Sequence, residues 1–195
     1  DAGSHIWTIG AVPAPGLAQP AAKAISAASP ITPTVALALI ADAPLAWLPM
    51  MILKSILNAE ELKAIGAELA SAEFVDGAKS AGHQARKVKR NRQLAAGSAP
   101  AERVGRVVEA ALKRSKAFFT AALPRAMTSV LVNRHEPGME YGLHVDNAFM
   151  RRGKAGGLRS DLAATLFLSD PGSYDGGELA IHVGAQLQRV KLPAG

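Results

Sequence analysis

The sequence predicts an α+β domain in which helices precede a series of antiparallel strands. Apolar residues recur at helical spacing in two segments before residue 120. After Pro124 the pattern changes to short runs rich in β-branched residues, separated by turn residues. The chain has 195 residues, 49% of them apolar, and is long enough to bury a substantial core.

The first helix has a clear start signal. Asn58 is a good N-cap, and Glu61 three residues later completes the pattern of a capping box. Apolar residues follow at helical spacing, so we expect a helix over residues 59–72. A short strand at residues 52–53 should precede it, and the segment 74–82 should follow it as a turn.

The second helix is expected over residues 101–119. Ser98 and Pro100 are its start signals. Its apolar residues form one stripe, and basic residues occupy the opposite face. The stripe consists of Val104, Val107, Val108, Ala111 and Leu112.

The strands are predicted from period and composition. The run 162–168 is continuously apolar, as in a strand buried on both faces. Turn residues at 170–173 and 175–177 separate it from later strands. The remaining predicted strands are residues 128–133, 178–183 and 188–192.

Residues 1–49 differ from the rest of the chain. They carry three charges, and Ala and Pro dominate. Because Pro interrupts helices and central strands, we expect an irregular or non-native leader, with the folded part starting near Met50. The apolar run 35–53 is broken by Asp42, Pro44 and Pro49, so no membrane span is predicted.

Composition excludes several kinds of site. The chain has no cysteine, which excludes disulfides, thiolate metal sites and cysteine nucleophiles, and fits a reducing cytoplasmic location. The net charge of +6 permits anionic ligands, and nucleic acid as a less favoured partner. Aromatic residues make up 5%, too few for a broad stacking platform.

The segment 141–147 carries the strongest chemical signal. In an extended chain, residues i and i+2 face the same way, so His144 and Asp146 can reach one metal ion together. Imidazole and carboxylate, completed by a second histidine, form the facial triad of non-haem iron(II) oxygenases. An isolated His-x-Asp pattern is common, and its ordinary interpretation is a hydrogen-bonded surface pair.

The residues around this pair resemble a known family. The segment 133–146 resembles the Tyr-x-x-Gly-x-x-Tyr-x-x-His-x-Asp region of prolyl-4-hydroxylase-like dioxygenases. With further segments in the expected order, the chain from Met50 to Gly195 is similar to bacterial PKHD-type hydroxylases. Those further segments are 74–77, 81–85, 88–91, 159–170, 174–179 and 189–195.

The resemblance implies a fold, cofactors and residue roles. It implies helices packed on a double-stranded β-helix, or jelly roll, divided into a helical part at 50–125 and a partial jelly roll at 126–195. It implies iron(II) bound by His144 and Asp146, 2-oxoglutarate as co-substrate with Tyr141 beside it, and ascorbate as a further cofactor. The family is also linked to bacterial iron uptake. The hydroxylated small molecule or peptide stays unknown.

The resemblance also implies that parts of the site are missing. The family's second iron-binding histidine and its 2-oxoglutarate-binding arginine follow the Leu-Pro-Ala-Gly turn, at which this chain ends. We therefore expect a truncated, inactive form that lacks its last strands. His182 should be an ordinary strand residue, His135 should precede the motif, His83 should lie in a loop, and His5 belongs to the leader.

Other interpretations stay open. One alternative is a non-catalytic metal- or anion-binding protein, and another is oxidation of nucleic acid on the same scaffold. The basic run 86–92 can contact phosphate, although a solvated segment beside the active site is the simpler account. Arg151, Arg152 and Lys154 can steer anions, while Arg159 and Asp161 should anchor a strand edge. The oligomeric state is also left open by the sequence.

Overall fold

The computed structural model describes residues 50–151, 157–183 and 186–195, and the backbone of four short strands before residue 50. Over these residues, three α-helices accompany small antiparallel sheets, as the α+β prediction requires. The helices are α1 (Ala59–Ala70), α2 (Ala99–Arg114) and α3 (Lys116–Ala122). None of the helices in this part of the chain is long and apolar enough to cross a membrane.

The strands are numbered in chain order. The first half contains β1 (Thr8–Ile9), β2 (Ala11–Val12), β3 (Lys23–Ser26), β4 (Leu37–Ile40), β5 (Met50–Leu53), β6 (Phe74–Asp76), β7 (Lys89–Arg90) and β8 (Arg92–Leu94). The second half contains β9 (Ala126–Met127), β10 (Asn133–Arg134), β11 (Glu140–Tyr141), β12 (His144–Val145), β13 (Phe149–Arg151), β14 (Gly157–Arg159), β15 (Ala164–Thr165), β16 (Leu179–Val183) and β17 (Gln186–Val190). Short 3-10 turns cover Gly77–Ser80, Ala85–Val88 and Pro171–Ser173.

Three sheets position the site described below. One has the order β10-β8-β6, and β7 pairs with β11 beside it. A four-stranded sheet has the order β12-β3-β16-β17. All of these pairings are antiparallel. Because β7 and β8 each pair with a strand after residue 126, the sequence before and after the predicted boundary at 125 is joined by backbone hydrogen bonds.

Helix α1 begins as predicted. Asn58 Oδ1 accepts from the backbone N–H of Glu61 at 2.9 Å, and Glu61 Oε2 accepts from the backbone N–H of Asn58 at 2.9 Å. Arg114, at the end of α2, donates to Glu61 Oε1 at 2.8 Å and lowers the pKa of that carboxyl group. The capping box and the ion pair therefore fix the start of α1 against the end of α2.

The single helix predicted over 101–119 is wrong. Ser115 divides it into α2 and α3, because its backbone N–H closes α2 on the Ala111 and Leu112 carbonyls while its Oγ caps α3 by accepting from Phe118 N at 3.2 Å. Serine favours such cap positions because its short side chain competes for backbone groups. The break turns the Phe118 side chain into the core, where it is fully buried.

Some predicted strands are shorter than expected. The run 128–133 forms β10 only at its end, and 162–168 is a strand only at β15. The segment 74–82, expected as a turn, begins as strand β6. The predicted strands at 52–53, 178–183 and 188–192 correspond to β5, β16 and β17. Apolar composition identified buried chain in the run 162–168, where Leu166 and Phe167 are buried, but regular pairing depends on distant partners.

One apolar core joins the helices to the strands. It includes Ile65 of α1, Val108 of α2, Phe118 of α3 and Phe167 after β15, each at most 1% exposed. The predicted stripe of α2 faces this core, with Val104, Val108, Ala111 and Leu112 buried. Residues 1–49 are not wholly irregular, since β1, β2, β3 and β4 each pair with a later strand. The character of the segment as a leader stays a prediction, because most of it lies outside the described residues.

Candidate metal centre

His144 and Asp146 converge on one side of the chain, as their spacing predicts. His144 lies in β12, and Asp146 follows the strand directly. The Nε2 atom of His144 is 3.4 Å from Oδ1 of Asp146. The His144 side chain is only 9% exposed, whereas Asp146 is 58% exposed, so the pair lies at the surface with its imidazole packed inwards.

The other nitrogen of His144 is already used. Nδ1 lies 2.8 Å from the carbonyl oxygen of Gly142. Because a carbonyl oxygen only accepts, Nδ1 carries the hydrogen, and a neutral His144 then presents the lone pair of Nε2 to a carboxylate oxygen. Two acceptors facing each other at 3.4 Å are stabilised by a cation or proton shared between them.

This arrangement fits a divalent metal ion. Metal-bound histidine commonly donates its second ring nitrogen to a carbonyl or carboxylate, as His144 does to Gly142. Imidazole nitrogen and carboxylate oxygen bind zinc at about 2.0–2.2 Å, and iron(II) uses the same donors in facial triads. Atoms 3.4 Å apart can both reach one ion at that distance. In the part of the chain that the structure describes, no third His, Asp or Glu joins the pair.

Tyr141 orients the histidine. Its ring stacks on the His144 imidazole, with centroids 3.7 Å apart and an angle of 13° between the planes. Burial, and secondarily the charge of Asp146, raises the pKa of Tyr141 to about 12, so its hydroxyl stays a neutral donor. The structure thus places Tyr141 against the predicted metal ligand, and its predicted role beside 2-oxoglutarate stays a prediction.

Glycine 142 permits the close approach that holds this segment. Its N–H donates to the Val88 carbonyl at 2.8 Å, and a Cβ atom there would lie 3.0 Å from Val88 Cβ. On the other side, β11 pairs with β7 so that Tyr141 lies opposite Lys89. The neighbouring pair, Arg90 and Glu140, forms a cross-strand ion pair.

The other histidines that the structure describes lie apart from this pair. His182 lies in β16 opposite Leu187, which confirms it as a strand residue. His83 is exposed in the loop after Ser80, and His135 follows β10 with only 7% of its surface exposed. His5 lies outside the described residues.

The predicted basic surface is only partly present. Within the run 86–92, Arg90 and Arg92 are exposed, but Lys89 is buried. Arg159 pairs with Asp161 at 2.6 Å beside β14, as expected for a strand-edge anchor. The Arg152 and Lys154 positions and the Arg151 side chain lie outside what the structure describes.

Sequence reasoning missed Lys89 as part of this region. Its ammonium lies 5.1 Å from the centre of the Tyr141 ring. A usable signal exists in the alternation of the strands, since residues 89, 91 and 93 point inwards while 90 and 92 point outwards. Arginine at both outward positions, 90 and 92, indicates that the polar residues at the alternate positions 89, 91 and 93 face inwards.

His135 makes the fold sensitive to acid. Burial, and secondarily the charge of Lys89, lowers its pKa to about 4, below the roughly 6.5 of an exposed histidine. The unfolded chain therefore binds the proton first, so the free energy of unfolding is unaffected above about pH 7 and falls as pH decreases from about 6.5 towards 4. The difference between those pKa values corresponds to roughly 3 kcal/mol.

Urea unfolding at pH 7 and pH 4.5 measures this loss. The free energy of unfolding should differ less between the two pH values in His135→Phe than in the wild-type protein, because phenylalanine does not titrate. His83→Phe is the matched control, since His83 is exposed, and it should leave the difference unchanged. Equal pH sensitivity in the wild-type and His135→Phe proteins would contradict the assignment.

Comparison with known proteins identifies relatives named PKHD-type hydroxylases. No protein-family model matches the chain. A PKHD-type hydroxylase of Xanthomonas euvesicatoria pv. vesicatoria (strain 85-10) is 48% identical over 143 residues, which are 72% of this chain and 63% of that protein. This chain is a homologue of the bacterial PKHD-type hydroxylases.

Other PKHD-type hydroxylases match to a similar extent. The protein of Klebsiella pneumoniae (strain 342) is 45% identical over 140 residues, covering 72% of this chain and 62% of its own length. The protein of Synechococcus elongatus (strain ATCC 33912) is 45% identical over 141 residues, with 72% and 63% covered. The chain thus spans somewhat less than two thirds of the length of these PKHD-type hydroxylases.

Proposed function

We propose that the chain carries the iron-binding pair of an iron(II)- and 2-oxoglutarate-dependent hydroxylase. The observation that carries this proposal is the orientation of His144, whose Nδ1 is tied to Gly142 O and whose Nε2 faces Asp146 Oδ1 at 3.4 Å. The names of the homologues support a hydroxylase. Iron(II) is the metal that uses this imidazole and carboxylate set in oxygenases.

Each residue of the site has a proposed task. His144 and Asp146 would hold iron(II), which supplies oxygen activation at the expense of 2-oxoglutarate for hydroxylation of a substrate C–H bond. Tyr141 keeps the imidazole plane fixed by stacking and offers a neutral hydroxyl to a bound ligand. Ascorbate would keep the iron reduced.

The remaining elements of the proposal follow the family resemblance. The antiparallel strands after residue 126 would belong to a double-stranded β-helix. The protein would act in the cytoplasm on a small molecule or peptide, in a process linked to iron uptake.

A site with two protein ligands limits how tightly this chain can hold iron(II). Since the described residues bring no third His, Asp or Glu to the pair, we propose that this chain holds iron(II) weakly and does not turn over 2-oxoglutarate alone. The same observation favours a second candidate function, a non-catalytic metal- or anion-binding protein.

Succinate formation distinguishes these functions. With iron(II), ascorbate and 2-oxoglutarate, the longer Xanthomonas homologue should form succinate, and should lose at least about 100-fold of that rate when the residue equivalent to His144 becomes alanine. This chain should form none. Iron-independent turnover by the homologue would contradict the proposed function, while succinate from this chain that is lost in His144→Ala would contradict its inactivity.

A further inference from the structure

Lys89 is a buried cation that contacts the ring of Tyr141. It is 6% exposed, and its Nζ atom lies 5.1 Å from the centre of that ring. The two residues are also directly opposite each other where β7 pairs with β11. An ammonium within about 6 Å of the centre of an aromatic ring is attracted to the ring, most strongly where water is excluded. The contact therefore restrains the Tyr141 side chain.

Two hydrogen bonds fix the ammonium group of Lys89 in place. Its Nζ donates to Ser80 Oγ at 3.0 Å and to Gln93 Oε1 at 3.1 Å. Ser80 Oγ in turn donates to Gln93 Oε1 at 2.6 Å, so the two acceptors are tied to each other. Ser80 ends the turn Gly77–Ser80, and Gln93 lies in β8. Because two separate elements hold the ammonium, it can restrain the ring that it contacts.

Tyr141 connects Lys89 to the candidate metal ligands. Its ring stacks on the His144 imidazole with centroids 3.7 Å apart. The imidazole is bound through Nδ1 to the Gly142 carbonyl oxygen, 2.8 Å away, and its Nε2 faces Asp146. A single hydrogen bond leaves the imidazole free to tilt about that contact, and the stacked ring restricts the tilt. Lys89 can thus influence the direction of Nε2 through Tyr141.

We propose that Lys89 is a positioning residue, which keeps the His144 imidazole aligned for metal binding by holding the Tyr141 ring. Lys89 does not touch the metal itself in this arrangement. The inference rests on the proposed function, because it takes His144 and Asp146 as the ligands of a divalent metal ion. The contacts from Lys89 to Tyr141 and from Tyr141 to His144 are independent of that function.

The charge of Lys89 by itself would have the opposite effect on metal binding. Burial lowers the pKa of Lys89 to about 8, and the charge of Asp146 opposes that shift, so the side chain is mostly charged at pH 7. A cation near Asp146 repels a divalent metal ion bound there. Removing it would strengthen metal binding if Lys89 acted by charge alone, and would weaken it if Lys89 positions His144. The sign of the change therefore distinguishes the two roles.

Lys89→Met tests the proposal, because methionine is also unbranched but lacks the charge and both hydrogen bonds. In calorimetric titrations of the full chain at pH 7, the variant should bind Mn²⁺ about three- to tenfold more weakly. Groups that support a metal ligand directly typically contribute 10–100-fold, and Lys89 acts one residue further away. In metal-free protein, the stacked Tyr141 ring should shift the NMR signals of the His144 ring protons upfield. Lys89→Met should move them downfield, towards those of an unstacked histidine.

Two comparisons show whether Lys89 acts through Tyr141. In a Tyr141→Leu background, Lys89→Met should no longer weaken Mn²⁺ binding, because the ring that transmits its effect is absent. Lys87→Met is the matched control, since Lys87 is an exposed cation two residues away. It should change the affinity less than about twofold and leave the His144 signals in place. Equal losses from Lys89→Met with and without Tyr141 would overturn the proposal.

Urea unfolding checks that Lys89→Met folds. If it does not, Ser80→Ala takes its place, because it removes one acceptor of the ammonium, and it should change both measurements in the same direction. Unchanged or stronger Mn²⁺ binding in the folded variant, or His144 signals that do not move, would overturn the proposal. Mn²⁺ binding that His144→Ala leaves unaffected would refute the proposed function instead. Binding that depends on His144 but is not weakened by Lys89→Met would refute this inference alone.

Discussion

Replacing His144 with alanine should weaken iron(II) binding by at least about 100-fold, because even the loss of a group that supports a ligand typically costs 10–100-fold. His144 contributes one of the two protein ligands in the proposed site, and its Nε2 faces Asp146 Oδ1 at 3.4 Å. Anaerobic titration with iron(II), followed by calorimetry, measures the change.

His182→Ala is the matched control for this experiment. His182 lies in β16 and shares the residue type but not the site, so its replacement should leave the affinity within about twofold. Asp146→Asn removes the charge and keeps the size, and it should weaken binding nearly as much as His144→Ala. Iron(II) affinity that is unchanged in both site variants would place the metal elsewhere.

Replacing Phe118 with alanine should destabilise the fold by about 3–5 kcal/mol, because the ring is fully buried and its loss leaves a cavity. Phe118 lies in α3 and belongs to the core that contains residues of all three helices. Urea unfolding at pH 7 measures the free energy, with the slope of the transition as a check on two-state behaviour.

The neighbouring residue provides a close control. Phe119 is 46% exposed, so Phe119→Ala should cost less than about 1 kcal/mol. Equal losses for the two variants would contradict the placement of Phe118 in the core and of Phe119 at the surface.

Local signals predicted the start of α1 and the apolar face of α2. Asn58 and Glu61 are three residues apart, so their reciprocal hydrogen bonds are determined within one helical turn. The break at Ser115 was not predicted, because the apolar stripe ends at Leu112 and neither glycine nor proline marks a helix end between there and residue 119. Strand ends were also missed, since β15 and β10 depend on pairing with segments far away in sequence.

The candidate site could also be predicted only in part from the sequence. The convergence of His144 and Asp146 follows from their i, i+2 spacing, and the structure confirms it. Two other features depend on how β11 and β12 meet, which the spacing of residues in the sequence does not show. They are the stacking of Tyr141 on His144 and the hydrogen bond from His144 Nδ1 to the Gly142 carbonyl. Lys89 was interpreted as part of a solvated run because its charge outweighed the alternation of inward and outward residues.

Paramagnetic broadening of histidine signals tests the iron site most directly. Mn²⁺ binds the same nitrogen and oxygen donors as iron(II) and broadens the NMR signals of nuclei near it. In histidine-labelled protein, substoichiometric Mn²⁺ should broaden the His144 ring signals first and leave those of His182 and His83 sharp. Broadening that begins at His182 or His83, or that is unchanged in Asp146→Asn, would contradict a metal centre at His144 and Asp146.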